Sequence, residues 1–217
     1  MNFDDNFRRI GNANIDAIKA IVAEIESQQW EADTDFDMQY VFLVHDRDLR
    51  HTEPTRRPAL NTFEPVLRPI LDITADFFDK SPQGQILTKE NGVGYFIRAY
   101  LARLLPGETI AEHRDLGFSY AHSHNVHVPI VMNERVQITV GGETLTIPEG
   151  EIYEINNRRP HAITNAGEDP HIHLSLDYVL KGEMCCCGEK LHHGEPCTPE
   201  ACFGTDTGEV SCTGCFT

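Results

Sequence analysis

RVQITV (135–140), GG (141–142), ETLTI (143–147), PEG (148–150) and EIYEIN (151–156) form one continuous run, and its reading decides the fold. In RVQITV, Val136, Ile138 and Val140 alternate with polar residues, the period of a strand with one buried face. Gly141-Gly142 supplies the positive φ angles of a tight hairpin, so ETLTI pairs back on RVQITV. Pro148-Glu149-Gly150 turns the chain again into EIYEIN.

The same texture extends to both sides. Upstream, GYFIRAYLARLL (94–105) reads as a long strand, with Phe96, Arg98 and Tyr100 on one face and Tyr95, Ile97, Ala99 and Leu101 on the other. NVHVPIV (125–131) is a short apolar strand. Downstream come residues 161–164 and HIHLSLDYV (171–179), in which Ile172, Leu174 and Leu176 oppose His171, His173, Ser175 and Asp177. Short strands spaced by turn signals indicate a mainly β protein, a jelly roll of two sheets. Helices precede it. Residues 12–29 carry Ile15, Ile18, Ile21, Val22 and Ile25 on one stripe, with Asn12 or Asn14 as cap. MQYVFLVHD (38–46) is a strand, and HTEPTRRP (51–58) and SPQGQ (81–85) read as loops. A second helix follows Thr62. Pro69 should kink or restart it, leaving Ile70 to Phe78 as its firm part.

Composition narrows the class. The chain has 217 residues, 40% of them hydrophobic, and no apolar run approaching the ~18 residues of a membrane span. The N-terminus lacks the apolar segment of a signal peptide, so a cytoplasmic protein is expected. A net charge of −16 argues against nucleic-acid binding. All seven cysteines fall between Cys185 and Cys215, whereas seven of the 11 histidines fall between His113 and His173. This divides the chain into N-terminal helical and strand elements (1–90), a β core (91–180) and a Cys-rich tail (181–217).

Within the core, His113-Arg114-Asp115 follows the turn after the long strand. Residues i and i+2 of an extended segment point to one side, so His113 and Asp115 can reach one ion together. His161, after EIYEIN and a polar loop, is placed to be the third ligand. Two imidazoles and a carboxylate suit a borderline metal such as Fe(II) and leave positions open for small molecules, whereas calcium or magnesium would draw more oxygen ligands.

LLPGETIAEHRD, HSHNVHVPIV, GGETLTIPEGEIYEINNRRPHAITNAG and HIHLSLDY together resemble the aspartyl/asparaginyl β-hydroxylase family, over about residues 92–179. The resemblance implies a double-stranded β-helix (jelly-roll, cupin-like) core. It also implies a dioxygenase that uses Fe(II), O2 and 2-oxoglutarate to hydroxylate an amino-acid side chain, free or in a peptide or protein. Its catalytic metal ligands would be His113, Asp115 and His161. The family pattern keeps His127 toward the cosubstrate. It places an arginine where this chain has Asn125, and another, for the distal carboxylate of 2-oxoglutarate, where this chain has His171. Histidine lacks arginine's fixed charge and fork. His127 and His171, with Arg98 as substitute anchor, are the expected cosubstrate residues. His173 is expected to be a hydrogen-bonded core histidine.

The tail lies outside the resemblance. Cys212-x-x-Cys215 has knuckle spacing, and Cys185-x-Cys187 is a candidate partner for a tetrahedral Zn(II) site. A flexible or redox-active tail and a disulfide-bonded one stay open beside it. A different class of function also stays open, namely a non-catalytic metal- or ligand-binding jelly roll whose Cys-rich tail docks a partner.

Overall fold

Antiparallel pairing joins the strands between Phe7 and Val179 in the computed structural model, which describes residues 3, 5–32, 38–46, 54–115, 118–183, 191–192 and 195–196. The elements in chain order are β1 (Phe7–Asn12), α1 (Asp16–Ala23), β2 (Glu31–Ala32), β3 (Gln39–His45), β4 (Thr55–Arg56), α2 (Leu60–Asp79), α3 (Pro82–Asn91), β5 (Tyr95–Leu104), β6 (Thr109–His113) and α4 (Phe118–Ala121). They continue with β7 (His124–Val131), β8 (Val136–Val140), β9 (Glu143–Leu145), β10 (Glu151–Ile155), β11 (His161–Asn165), β12 (His171–Val179), β13 (Leu191–His192) and β14 (Glu195–Pro196). The major sheet runs β1-β10-β7-β12-β5-β3-β2, with β4 beside β3, and the minor sheet runs β6-β11-β8-β9. This is the expected double-stranded β-helix, with N-terminal helices beside it. Cys185, Cys187, Cys212 and Cys215 lie outside the described residues. No described helix is long and apolar enough to cross a membrane.

The sequence periods explain the two layers of core. Ile172, Leu174 and Leu176 of β12 join Val126, Val128 and Ile130 of β7 and Leu101 of β5 against the stripe Phe63, Leu67, Ile70 and Phe78 of α2. The other face of the major sheet gives Ala102, Leu104 and Ile155. These meet Ile110, Val136, Ile138, Val140 and Ile163 of the minor sheet. Each fully buried aliphatic side chain contributes about 1.5–3 kcal/mol. Gly141 and Gly142 both have positive φ, as the β8–β9 hairpin requires.

Several expectations needed correction. The first helix is only Asp16–Ala23, because Asn12 ends a strand. That strand, β1, went unread because FRRIGN is charged. Its Arg8 and Arg9 are neutralised by Glu154 and Glu151 of the neighbouring β10. HTEPTRRP is not all loop, since Thr55 and Arg56 pair with β3. Pro65 and Pro69 do not interrupt α2. They lie four apart on its exposed face, so the carbonyls they leave without N–H partners face solvent. SPQGQ opens α3: Pro82 takes the first helical position and the Ser81 hydroxyl accepts a hydrogen bond from the Gly84 amide at 2.9 Å. Finally, the β5–β12 register slips between Asp177 and Tyr178, pairing them with Arg98 and Phe96 and leaving Ile97 as the extra residue of a bulge. Phe96 therefore packs toward the helices against Tyr178, not on the face of Arg98 and Tyr100.

Candidate metal centre and cavity

β6 and β11 are neighbours in the minor sheet, and His113 and His161 are directly opposite each other in their register. Opposed residues of an antiparallel pair project to the same face. The imidazole centroids are accordingly 4.3 Å apart. Asp115 follows two residues after His113, and its Oδ1 lies 3.7 Å from His113 Nε2 and 3.9 Å from His161 Nε2. The three ligand-capable atoms fall within 4.8 Å of one another. The triad anticipated from sequence is thus brought together.

Each part is held from behind. His113 Nδ1 donates to the Ala111 carbonyl at 2.9 Å, and His161 Nδ1 to the Arg159 carbonyl at 3.0 Å. A carbonyl only accepts, so both rings carry a proton on Nδ1, and the neutral form of each turns an Nε2 lone pair toward Asp115. Burial holds the His161 imidazole below its usual pKa, while Asp115 pulls the other way. The neutral ring is the ligating form. Asn157 fixes the carboxylate: its Nδ2 donates to Asp115 Oδ2 at 3.0 Å, and its carbonyl accepts from the Asp115 amide at 3.3 Å. Asn157 belongs to the quoted EINN element, but its orienting role carried no sequence signal.

The cluster stands at one side of a cavity of about 230 Å³ between the two sheets. His113 and Asp115 are partly exposed, whereas His127 and His173, on the major sheet, are buried, so the cavity opens beside His113 and Asp115, its mouth, and is closed by the major sheet. Met38, Tyr40, Phe42, Tyr100 and Tyr120 supply half of the remaining wall, and His45, Arg98, Ile110, Asn125 and Ile163 the rest.

The expected cosubstrate residues divide. Arg98 does line the cavity, but its guanidinium is engaged. Nε donates to Asp177 Oδ2 at 2.6 Å, Nη1 to Ser119 Oγ at 2.6 Å, and its carbon sits 3.8 Å from the Tyr120 ring centre. Burial opposes its charge, but Asp177 more than compensates and raises its pKa. Asn125 also lines the cavity, donating from Nδ2 to Asp177 Oδ1 at 3.0 Å and accepting at Oδ1 from His127 Nε2 at 2.8 Å. His127, expected to be a cosubstrate residue, lines the cavity. His171 is not among the lining residues. It lies behind His173, donating from Nδ1 to the Val131 carbonyl at 3.1 Å. His173, expected to be a hydrogen-bonded core histidine, has that bond, to His171, and also faces the cavity. His124 turns the other way, stacking on Phe78 of α2 between Glu154 and Glu183. From sequence Asp177 is only a polar position on β12, and Tyr120 sits in a short helix without a readable period.

A double-stranded β-helix with a His-x-Asp…His cluster at the mouth of an inter-sheet cavity places the protein among the jelly-roll proteins that include metal-dependent oxygenases. Residues 76–180 match the sequence profile of the aspartyl/asparaginyl β-hydroxylase family, and the chain is aspartyl/asparaginyl β-hydroxylase-like over that span. The fold is shared with an oxidoreductase of the 2OG-Fe(II) oxygenase family from Burkholderia pseudomallei, at 13% identity over 78% of this chain and 79% of that one, TM-score 0.53. A prolyl-4-hydroxylase from Pseudomonas putida matches at 12% identity over 82% of this chain and 95% of that one, also with TM-score 0.53. No curated protein matches the chain.

Proposed function

We propose that the protein is an Fe(II)-dependent oxygenase that uses a 2-oxo acid, 2-oxoglutarate in this family, and O2 to hydroxylate an amino-acid side chain, free or in a peptide or protein. The observation that carries this reading is the convergence of His113, Asp115 and His161 at the mouth of a closed cavity. Two neutral imidazoles and one carboxylate fit a divalent borderline metal and leave part of its coordination sphere open. When bound, that metal supplies the redox chemistry by which O2 is activated.

The chain's own residues supply the rest. His113 and His161 present Nε2 with the tautomer fixed by backbone carbonyls, and Asn157 holds Asp115 in register with them. Tyr40, Phe42 and Tyr100 give the cavity that holds the cluster an aromatic wall, and such a wall disfavours bulk water around reacting groups. The mouth, where His113 and Asp115 are partly exposed, is the entry for the substrate side chain.

The test is anaerobic titration with Fe(II) followed by saturating 2-oxoglutarate. Stoichiometric iron binding and a weak visible charge-transfer band are expected, both lost in His161→Ala. A protein that binds no Fe(II), or the same band in His161→Ala, refutes the assignment.

A further inference from the structure

The closed end of the cavity has a hydrogen-bond polarity that can be worked out atom by atom. The Val131 carbonyl accepts from His171 Nδ1, so the His171 proton is on Nδ1 and its Nε2 is a lone pair. His173 Nδ1 lies 3.2 Å from that Nε2 and must donate to it. The His173 proton is then also spent, and its own Nε2, on a ring that lines the cavity, is a lone pair. A second chain reaches the same result from Asp177. Its carboxylate fixes the Asn125 amide with Nδ2 toward it, which turns Oδ1 toward His127 Nε2 and makes that nitrogen the donor. His127 Nδ1 is left as a buried lone pair with no hydrogen-bond partner. The His127 and His173 rings are stacked, with centroids 4.8 Å apart at 16°.

No charge reverses this polarity. Among the described residues, no carboxylate bonds to any of these three rings, and burial holds His127 at about 3 and His171 at about 4. Arg98, the cation on the cavity wall, is matched by Asp177 with side-chain exposures of 1% and 0%. Asp177 is further occupied by Asn125 and Ser123. The tyrosine hydroxyls of the wall can donate or accept, so they do not choose between ligands. A carboxylate arriving at this end would meet imidazole lone pairs and no uncompensated cation. The distal carboxylate of 2-oxoglutarate is disfavoured at such a place and occupies it only at high concentration.

We propose that the closed end of the cavity is a subsite for a hydrogen-bond-donating terminus on the metal-chelating oxo acid, a carboxamide, hydroxyl or ammonium group, and discriminates against a terminal carboxylate. The inference rests on the metal-centred reading above and deepens it. The metal position takes the oxo-acid end, as in the family, while His173, with His127 stacked against it, reads the other end.

The test compares two chelators that differ only at the far end, N-oxalylglycine, with a carboxylate, and N-oxalylglycinamide, with a carboxamide. Both are titrated calorimetrically into the Mn(II)-loaded full-length protein at pH 8. The amide is expected to bind at least about tenfold more tightly, the scale of one buried group satisfied rather than opposed. His173→Phe keeps a stacking ring but removes the lone pair, and should bring the two affinities to within about twofold. Equal affinities in the wild-type protein, or tighter binding of the carboxylate, overturn the inference and leave the metal-centred reading standing. Failure of both chelators to bind although Mn(II) does overturns the inference together with the oxo-acid part of that reading. Failure of Mn(II) itself to bind overturns both entirely.

Discussion

Removing the negative charge of Asp177 tests the reasoning about the cavity most directly. Arg98 and Asp177 are both buried, and their contact is a 2.6 Å hydrogen bond from Nε to Oδ2. At an effective dielectric of about 20, charges about 4 Å apart attract by about 4 kcal/mol. Forming such a pair gains little, because both ions were desolvated to make it. Breaking it is costly, because the guanidinium stays buried without its counter-ion. Asp177→Asn should therefore lose about 3–5 kcal/mol of folding stability, a large share of the roughly 5–15 kcal/mol of a typical domain. The assay is urea unfolding at pH 7.5, run as a double-mutant cycle with Arg98→Met. The double variant should be more stable than Asp177→Asn alone, because removing both charges removes the uncompensated one. A loss under about 1 kcal/mol in the single variant, or strict additivity in the cycle, would refute the pairing argument. The folded fraction of Asp177→Asn carries a second signature. Arg98 is released as a free cation on the cavity wall, so N-oxalylglycine should gain affinity relative to its amide.

Other perturbations follow the same logic. Asn157→Ala removes the group that orients Asp115 and should lower metal affinity about 10–100-fold in a metal titration, with little effect on the fold. Burial keeps His127 and His171 neutral in the folded state, at about 3 and 4, below the 6.5 of an exposed ring. The folded state then binds fewer protons than the unfolded chain. Its stability from these rings is complete above pH 6.5 and declines toward pH 4 by about 1.4 kcal/mol per pH unit per ring. Urea midpoints between pH 7.5 and 4.5 should show this decline, shallower in His171→Gln; a flat profile would mean that the rings are charged in the fold. Gly84→Ala should lower the melting temperature markedly, because its Cβ would stand 1.9 Å from the Phe78 carbonyl oxygen where α3 abuts the end of α2.

What could be read from sequence followed the range of the interactions involved. The strands β7 to β12 were legible because their signals are local, an apolar run in NVHVPIV and alternation in Val136, Ile138 and Val140. The metal cluster was legible because His113 and Asp115 are two apart and His161 opens a strand. The bulge at Ile97 was not, because it is a property of how β5 pairs with β12 and leaves no mark in the alternation of β5 itself. Arg98 read as an available anchor because its counter-ion, Asp177, is 79 residues away. His171 and His173 looked equivalent by parity, yet only the second reaches the cavity, since the first is tied to Val131 of the neighbouring strand. β1 was missed because its arginines are balanced by glutamates of β10, which only the register reveals.

The wiring of the two histidines is unusually local. Each donates Nδ1–H to the carbonyl two residues before it in its own chain, His113 to Ala111 and His161 to Arg159, and the two face each other across one ladder. Their orientation is set by β6, by β11 and by the loop that leads into β11. Two antiparallel strands with opposed histidines, an aspartate two positions on and the loop that brings Asn157 and the Arg159 carbonyl to them make up a compact candidate metal-binding unit.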